Sequence, residues 1–505
     1  MRYCIHIWLW GQEIGSLMWR YERHSSYFVY HPDFIASDVE PFPLVAPKAF
    51  NKAYVSEDKR MYQHLPAFLA DSLPDDWGNA LFQQWQLEQG LPDSKILPLD
   101  KLTFIGSRGM GALEFVPDVQ VKPRAEKIDI ASLAKLAKKI FEDREKAVIE
   151  PGETITKKLL MTVGTSVGGR QPKALIAINR ETGEIRSGQM AGLDGFDYYI
   201  LKFGDKERST AELEMTYYEM ARAAGIDMMP CFIKEADGEK HFMTQRFDRI
   251  NGEKVHLQTL AAMNPDAYSY ERLMLVCRNL HLPDATGEEI FRRMVFNYLA
   301  NNTDDHNKNF SFMMNRKGEW SLTPAYDLTF IFNVGGYQPH SEHCLLLRGK
   351  VADWTKEEVL LFAEQNDIKN PEKIIRQVAE AVRNFRALAE KNGVRAEWIG
   401  RIEECLKGHL REWQLVKSEV IVRAKARQEE LRVKNFRLED GREVTNVYLE
   451  QAYKGNIQLH ATIDGVEQRW VLRPAFPEYN TITSLGITNI PADLLKQLVE
   501  ERIKS

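Results

Sequence analysis

The chain contains no apolar run approaching the roughly 18 residues that a membrane-spanning helix requires. Its five cysteines, Cys4, Cys231, Cys277, Cys344 and Cys405, are scattered without paired spacing. The first absence argues against a membrane span. The second argues against a zinc site and a disulfide framework, and makes a reducing cytoplasm the expected compartment. An excess of one charge is also missing: 67 Lys and Arg stand against 72 Asp and Glu. The molecule as a whole is therefore no electrostatic nucleic-acid binder, and any DNA contact is expected to be local or through a partner. Internal repeats and low-complexity tracts are absent too. The short apolar start MRYCIHIWLW alternates and runs into a Gly-Gln-Glu turn, which reads as a strand rather than a signal peptide.

What is present is a chain of 505 residues, 44% apolar, long enough for two to four domains with substantial cores. Residues 1–120 read as a strand-rich unit, with YCIHIWLW, GSLMWRY, YFVYH and GALEFVP as strands. Helix is expected from Ala67 to Asp71 and again from Trp77, with a break at Pro74. In IDIASLAKLAKKIF, Leu133, Leu136, Ala137 and Ile140 recur at helical spacing. Residues 121–262 then read as a small nucleotide-binding lobe: glycine-rich GTSVGGRQPKALIAIN running into a strand, a turn at ETGEIRSG, a strand FDYYILKFG ending in Lys202, a helix with Leu213, Tyr217, Met220 and Ala221 on one side and a stop at Gly225, and a strand HFMTQRFDRI. Helices dominate residues 263–434, with a hairpin at FSFMMNRKGEWSL and a Thr355 to Glu358 capping box. The basic stretch VRAKARQEELRVKNFR reads as a solvated helix rather than a nucleic-acid contact. Residues 435–505 return to strands around EDGR and IDGV, ending in a helix at PADLLKQLVEER.

The densest polar stretch is NNTDDHNKNFSF, residues 301–312. It could be a plain turn, or a metal cluster of Asp304, Asp305 and His306. A metal-only reading leaves Lys308, Asn309 and Asp327 without a purpose, and adjacent residues on an extended strand face opposite ways. Asp304 and Asn309 have the spacing D-x-x-x-x-N, and Asp327 follows the hairpin in TPAYDL. In that order these are the parts of a protein-kinase site: an acid to orient the attacking hydroxyl, then an amide and a second acid to hold magnesium on the phosphates. The spacing alone is weak, since roughly one such match arises by chance in a chain this long. Its company adds weight. Lys202 ends an apolar strand, Glu214 on the next helix can hold it with Glu212 as competitor, and VGTSVGG offers backbone amides for phosphate. Taken singly, each of these has an ordinary structural explanation.

SVGGRQPKALI, ILKFG, MTQRFDR, FNYLANNTDDHNKNFSF and LTPAYDL, together with FLADSLPDDWGNALF and FIGSRGMGALEFVP, closely resemble the HipA family of bacterial serine/threonine kinases, toxins of toxin-antitoxin pairs. The resemblance covers roughly residues 1–400. It implies an α+β, two-lobed protein-kinase-like fold with a strand-rich N-terminal subdomain and a helical C-terminal lobe, to which this chain adds a C-terminal α/β extension without counterpart in the short toxins. It also implies ATP and Mg2+ as cofactors. By motif position, Asp304 would be the catalytic base, His306 its neighbour in the catalytic loop, and Asn309 and Asp327 the metal ligands. Lys202, with Val167, Gly168 and Gly169, would meet the phosphates. Gln245, Arg246 and Phe247 would line the adenine-binding strand through backbone groups. Ser166 matches the family's self-phosphorylated serine, and a phosphate there would expel the loop and silence the enzyme. Asp305 stands where the family often has alanine, so either acid could be the base, with the spacing to Asn309 favouring Asp304.

The expected activity is phosphorylation of a cytoplasmic protein, by resemblance a translation factor such as an aminoacyl-tRNA synthetase. A small helix-turn-helix antitoxin is the expected partner, with DNA reached only through it. Two other readings stay open from sequence: a kinase-like scaffold that acts as a corepressor, and a kinase-fold nucleotidyltransferase that moves AMP.

Overall fold

The computed structural model describes residues 4–56, 62–92, 96–117, 128–142, 171–189, 192–333, 338–415, 436–438, 440–451 and 457–472. Ser166, Val167, Gly168 and Gly169 lie outside these residues, as do most of the basic stretch and the terminal PADLLKQLVEER segment. By contacts the chain forms two compact units, Met1–Leu415 and Val416–Ser505.

The first unit begins with strands β1 (Cys4–Leu9), β2 (Gln12–Arg20), β3 (Ser25–Tyr30), β4 (Tyr54–Ser56) and β5 (Leu113–Val116) in the spatial order β4-β3-β2-β1-β5. Each neighbouring pair is antiparallel. Alternation in CIHIWL puts Ile5, Ile7 and Leu9 inside and His6 outside. Short helices α1 (Pro32–Ile35), α2 (Ala67–Ala70) and α4 (Pro98–Ile105) pack their apolar residues into the same core. Helix α3 (Asp76–Glu88) lies between α2 and α4 in sequence; its Phe82 joins this core, while Trp77, Ala80 and Leu81 leave it for the next sheet.

That sheet has the order β7-β6-β8-β10-β9, built from β6 (Lys173–Asn179), β7 (Ile185–Ser187), β8 (Phe196–Lys202), β9 (Cys231–Ala236) and β10 (Glu239–Gln245). Successive residues on a strand face opposite sides. Leu201 and Met243 accordingly pack with α3 and with α5 (Ile130–Glu142), whose Leu133, Leu136, Ala137 and Ile140 are all buried. Phe242, one residue before Met243, packs with Ala211 of α6 (Thr210–Ala223). Helix α6 presents Leu213, Tyr217, Met220 and Ala221 to the large helical core and stops at Gly225, which has φ +83°.

Two short strands, β11 (Arg249–Ile250) and β12 (Glu253–Lys254), lead to a sheet of β13 (His256–Thr259), β14 (Ser311–Met314) and β15 (Trp320–Leu322). The helical part holds α7 (Leu260–Met263), α8 (Tyr270–Asn279), α9 (Asp284–Leu299), α10 (Lys356–Gln365), α11 (Pro371–Arg383), α12 (Phe385–Asn392) and α13 (Ala396–Glu412). The capping box at α10 is formed as expected: Thr355 Oγ1 accepts from the Glu358 amide at 3.2 Å, and Glu358 Oε2 accepts from the Thr355 amide at 3.0 Å. The described part of the second unit is an antiparallel meander of β16 (Phe436–Arg437), β17 (Glu443–Gln451), β18 (Ile457–Ile463) and β19 (Val466–Leu472). DGR and IDGV make two of its turns, with Gly441 and Gly465 at positive φ.

Three local expectations need adjustment. ETGEIRSG is a turn followed by the strand β7, because Ile185 to Ser187 find a ladder partner in β6. HFMTQRFDRI leaves the sheet at Gln245, after which the Arg246 amide bonds the Tyr198 carbonyl at 2.8 Å. The polar stretch after α9 is irregular until Ser311, so strand begins only at its end. Among the described residues, no helix is long and apolar enough to cross a membrane.

Candidate active site

Helix α9 ends at Ala300, and Asn301, at φ +53°, turns the chain into the polar stretch. An asparagine tolerates that conformation better than a branched residue would. Its side-chain amide donates to the Ile331 and His340 carbonyls at 3.3 and 3.1 Å. Asn302 donates to Asn297 Oδ1 at 2.9 Å and accepts from the Thr329 amide at 3.3 Å. These side chains brace the backbone of the loop. Asn309 closes it, its Nδ2 donating to the Asp304 carbonyl at 2.7 Å and its own amide donating to the His306 carbonyl at 2.8 Å. A carbonyl oxygen can only accept, so the Asn309 nitrogen faces Asp304 and its Oδ1 is left for another partner. The Lys308 amide donates to His306 Nδ1 at 3.2 Å, which makes His306 part of the same turn.

The two adjacent acids are treated oppositely. Asp305 is buried and accepts from the Tyr270 hydroxyl at 2.6 Å, from His343 Nδ1 at 3.0 Å, and from the amides of Cys344 and Leu345 at 2.8 and 3.4 Å. Asp304 has a side chain 55% exposed, with His306 Nε2 at 3.9 Å and the Cys344 thiol at 3.9 Å. Of the two, only Asp304 presents its carboxylate to solvent.

Lys202, at the end of β8, is directly opposite Phe242 in the ladder and therefore points to the α6 side of the sheet. Its ammonium donates to Glu214 Oε2 at 2.5 Å and also to Asp327 Oδ1. Glu212, the competing acid, instead faces Lys240 at 3.7 Å. Asp327 follows a parallel bridge between Met228 and Ala325 and has φ +55°, a left-handed turn that leaves its carboxylate on Lys202. Burial alone would disfavour the Lys202 ammonium, but Asp327 and Glu214 outweigh it and raise the lysine pKa. Burial likewise works against the Asp327 carboxylate, and the Lys202 and Lys173 ammonium groups outweigh it, so its pKa falls below the usual carboxylate value. Both shifts favour the ionised form of the Lys202–Asp327 pair.

Among the described residues there is no cluster of three or more His, Cys, Asp or Glu side chains placed to hold a metal. Magnesium needs no such cage, since it commonly takes one or two protein carboxylates and fills its shell with phosphate and water. The oxygen donors of Asn309 and Asp327 suit it chemically.

Arg246 has a buried side chain, with Nε and Nη2 on the two Asp248 oxygens at 2.8 Å each and Nη1 on the Gly188 carbonyl at 2.9 Å. The Gln245 amide bonds the Pro230 carbonyl at 2.9 Å. Backbone recognition from this strand would therefore fall to carbonyl groups and to Phe247. The Phe247 ring lies 5.7 Å from that of Tyr326, whose hydroxyl donates to the Lys308 carbonyl at 2.7 Å.

Sequence reasoning passed over Lys173, which sits directly opposite Lys202 in the β6–β8 ladder and is buried. A lysine opening an otherwise apolar strand, KALIAIN, was the available signal. It also passed over Asp71 and Asp75 of the N-terminal part. Asp71 accepts from the Thr259 amide and hydroxyl at 2.9 and 2.6 Å, and Asp75 lies 3.8 Å from Lys173.

A small five-stranded sheet with one helix on a lysine, a helical lobe, and an acid-asparagine loop between them define a protein-kinase-like architecture. The HipA N-terminal domain model matches residues 5–116 and the HipA-like C-terminal domain model matches residues 165–387, together well over half of the sequence. The chain belongs to the HipA family. The HipA chain in a Shewanella oneidensis toxin–antitoxin complex of HipA, HipB and operator DNA matches in fold with a TM-score of 0.58 at 18% identity, over 81% of this chain and 97% of that one. In sequence, a Haemophilus influenzae protein with a provisional kinase name is 31% identical over 202 residues, 35% of this chain and 56% of the relative. The serine/threonine-protein kinase toxin HipA of Shewanella oneidensis is 25% identical over 291 residues, 52% of this chain and 62% of the relative. The matches thus span little more than half the length of these relatives.

Proposed function

We propose that this chain is an ATP- and Mg2+-dependent protein serine/threonine kinase of the HipA type. The observation that carries the reading is the junction of Lys202, Glu214 and Asp327, distant in sequence and joined by direct ionic contacts. Magnesium, when bound, would neutralise charge on the triphosphate. In this reading Asp304 accepts the proton of the attacking Ser or Thr hydroxyl, and Asn309, which holds the Asp304 carbonyl, would offer its Oδ1 to the metal. Asp327 would be the acidic ligand of the metal, and Lys202, held by Glu214, would meet the phosphates. His306 shapes the turn and Phe247 borders the base. Ser166 is the proposed site of self-phosphorylation, within the phosphate-binding loop of Val167, Gly168 and Gly169.

The same proposal includes subdomains at 1–120, 121–262 and 263–434 with an extension from 435, a cytoplasmic location, and a protein substrate among translation factors. A small DNA-binding antitoxin is the proposed partner, by analogy with the HipA–HipB–operator complex. Purified protein incubated with γ-labelled ATP and magnesium should acquire label on Ser166 and on a substrate protein, and Asp304→Asn should acquire it at least about a hundredfold more slowly. Equal label, or equal absence of label, on wild type and variant overturns the reading. Mass spectrometry of the product separates an added phosphate from an added AMP.

A further inference from the structure

We propose that Asp75 is a positioning residue for the phosphate end of the nucleotide site, acting through Lys173, so that the N-terminal subdomain completes the site. The proposal rests on the kinase reading and adds to it a residue from a different part of the chain. Lys173 and Lys202 are directly opposite on neighbouring antiparallel strands, and such pairs project to the same face. The site therefore has two lysines side by side. Lys202 already serves Glu214 and Asp327.

The acid that stands against Lys173 comes from the LPDDW turn at the start of α3. Asp75 divides its two oxygens between two tasks. Oδ1 accepts from the Gly78 amide at 2.6 Å and caps the helix. Oδ2 is buried, makes no hydrogen bond, and lies 3.8 Å from the Lys173 ammonium. A buried carboxylate oxygen without a hydrogen bond is costly unless a charge compensates it, so capping alone does not account for this side chain. The same turn also holds the lysine by its backbone, since the Trp77 indole donates to the Lys173 carbonyl at 2.9 Å. One turn of the N-terminal subdomain thus grips Lys173 at both ends.

The charges that act on Lys173 agree with this role. Burial lowers its pKa, and Asp327 first, then Asp75 and Glu214, support the ammonium while Lys202 opposes it. Removal of the Asp75 charge would take one of the supporting acids from a buried lysine that already faces another lysine, which favours loss of its proton or a swing away from the phosphates. A neutral or displaced Lys173 contributes little to a triphosphate.

The test uses the full chain and the variants Asp75→Asn, Lys173→Met and their double. Asparagine caps a helix about as well as aspartate, so Asp75→Asn should melt close to wild type without nucleotide. Its affinity for a non-hydrolysable ATP analogue with magnesium should fall on the order of tenfold, as when a group that orients a ligand-binding side chain is removed. Its affinity for adenosine, which has no phosphates, should stay unchanged, and the double variant should bind the analogue no worse than Lys173→Met. Unchanged affinity for the analogue, an equal loss for analogue and adenosine, or additive losses in the double variant would each overturn the inference. If wild type itself binds no analogue, the kinase reading fails first and this inference goes with it.

Discussion

Asp304 and Asp305 are chemically identical neighbours with opposite fates, and the difference lies entirely in what surrounds each. Asp305 receives four donors in a buried pocket, whereas Asp304 faces solvent beside His306. Asp304→Asn should lower phosphotransfer by about two to four orders of magnitude with little change in the melting curve, the usual loss for a general base. Asp305→Ala leaves those donors without an acceptor, and denaturant titration should show a loss of roughly 3–5 kcal/mol. A variant pair with the reverse pattern would exchange the two roles. The spacing to Asn309 points to Asp304, and the burial of Asp305 supports that reading on grounds no spacing carries. Lys202, Glu214 and Asp327 were each legible by motif position, but Lys173 and Asp75 were not, because 98 residues separate them and nothing local to either one pairs it with the other.

Strands with strong alternation and helices with clear caps were the readable elements. β1, β2, β8, α5 and α6 follow their apolar periodicity closely, since each has one face in a core. β9 escaped notice because CFIKEA is an edge strand with charged residues and little alternation. Capping at α10 offers a test at this scale. Thr355→Ala removes one acceptor from the exposed helix start and should cost about 1 kcal/mol in chemical denaturation. Gly15 offers a stricter one, because a Cβ there would meet the Val29 carbonyl at 2.3 Å and the Phe28 ring at 2.6 Å. Gly15→Ala should therefore destabilise the first sheet by about 1–3 kcal/mol, read as an earlier unfolding midpoint.

Across the first unit, buried polar contacts join the N-terminal sheet to the kinase-like part. Asp248 accepts from Arg246, Arg249 and the Gly111 amide, and Arg249 also reaches the Gly111 and Gly109 carbonyls. Burial alone would raise the Asp248 pKa, but the two guanidinium groups outweigh it and hold it far below the usual carboxylate value. Its contribution is fully present above the ordinary carboxylate range and is lost as pH falls below it. His256 sets an earlier limit. It is fully buried against Phe42 and Trp320, with Nε2 on the Pro41 carbonyl at 3.1 Å, and burial lowers its pKa from 6.5 to about 4. Between those values the unfolded chain binds the proton and the folded chain does not, so stability should fall as pH drops from 6.5 to 4, by roughly 3 kcal/mol from this residue. Melting temperatures across that range should decline for wild type and decline less for His256→Gln; parallel profiles would remove His256 as the cause.

Local order along the chain was enough to establish the alternating strands, the capped helices and the sequence in which the kinase-like parts arrive, because periodicity, caps and turn residues act over a few neighbours. Tertiary contact decided which of two acids is exposed, which glutamate takes Lys202, that Arg246 is spent on Asp248, and that an N-terminal turn reaches Lys173. Burial and charge pairing between segments tens to hundreds of residues apart produce those outcomes, and they exist only once the sheets and helices have packed.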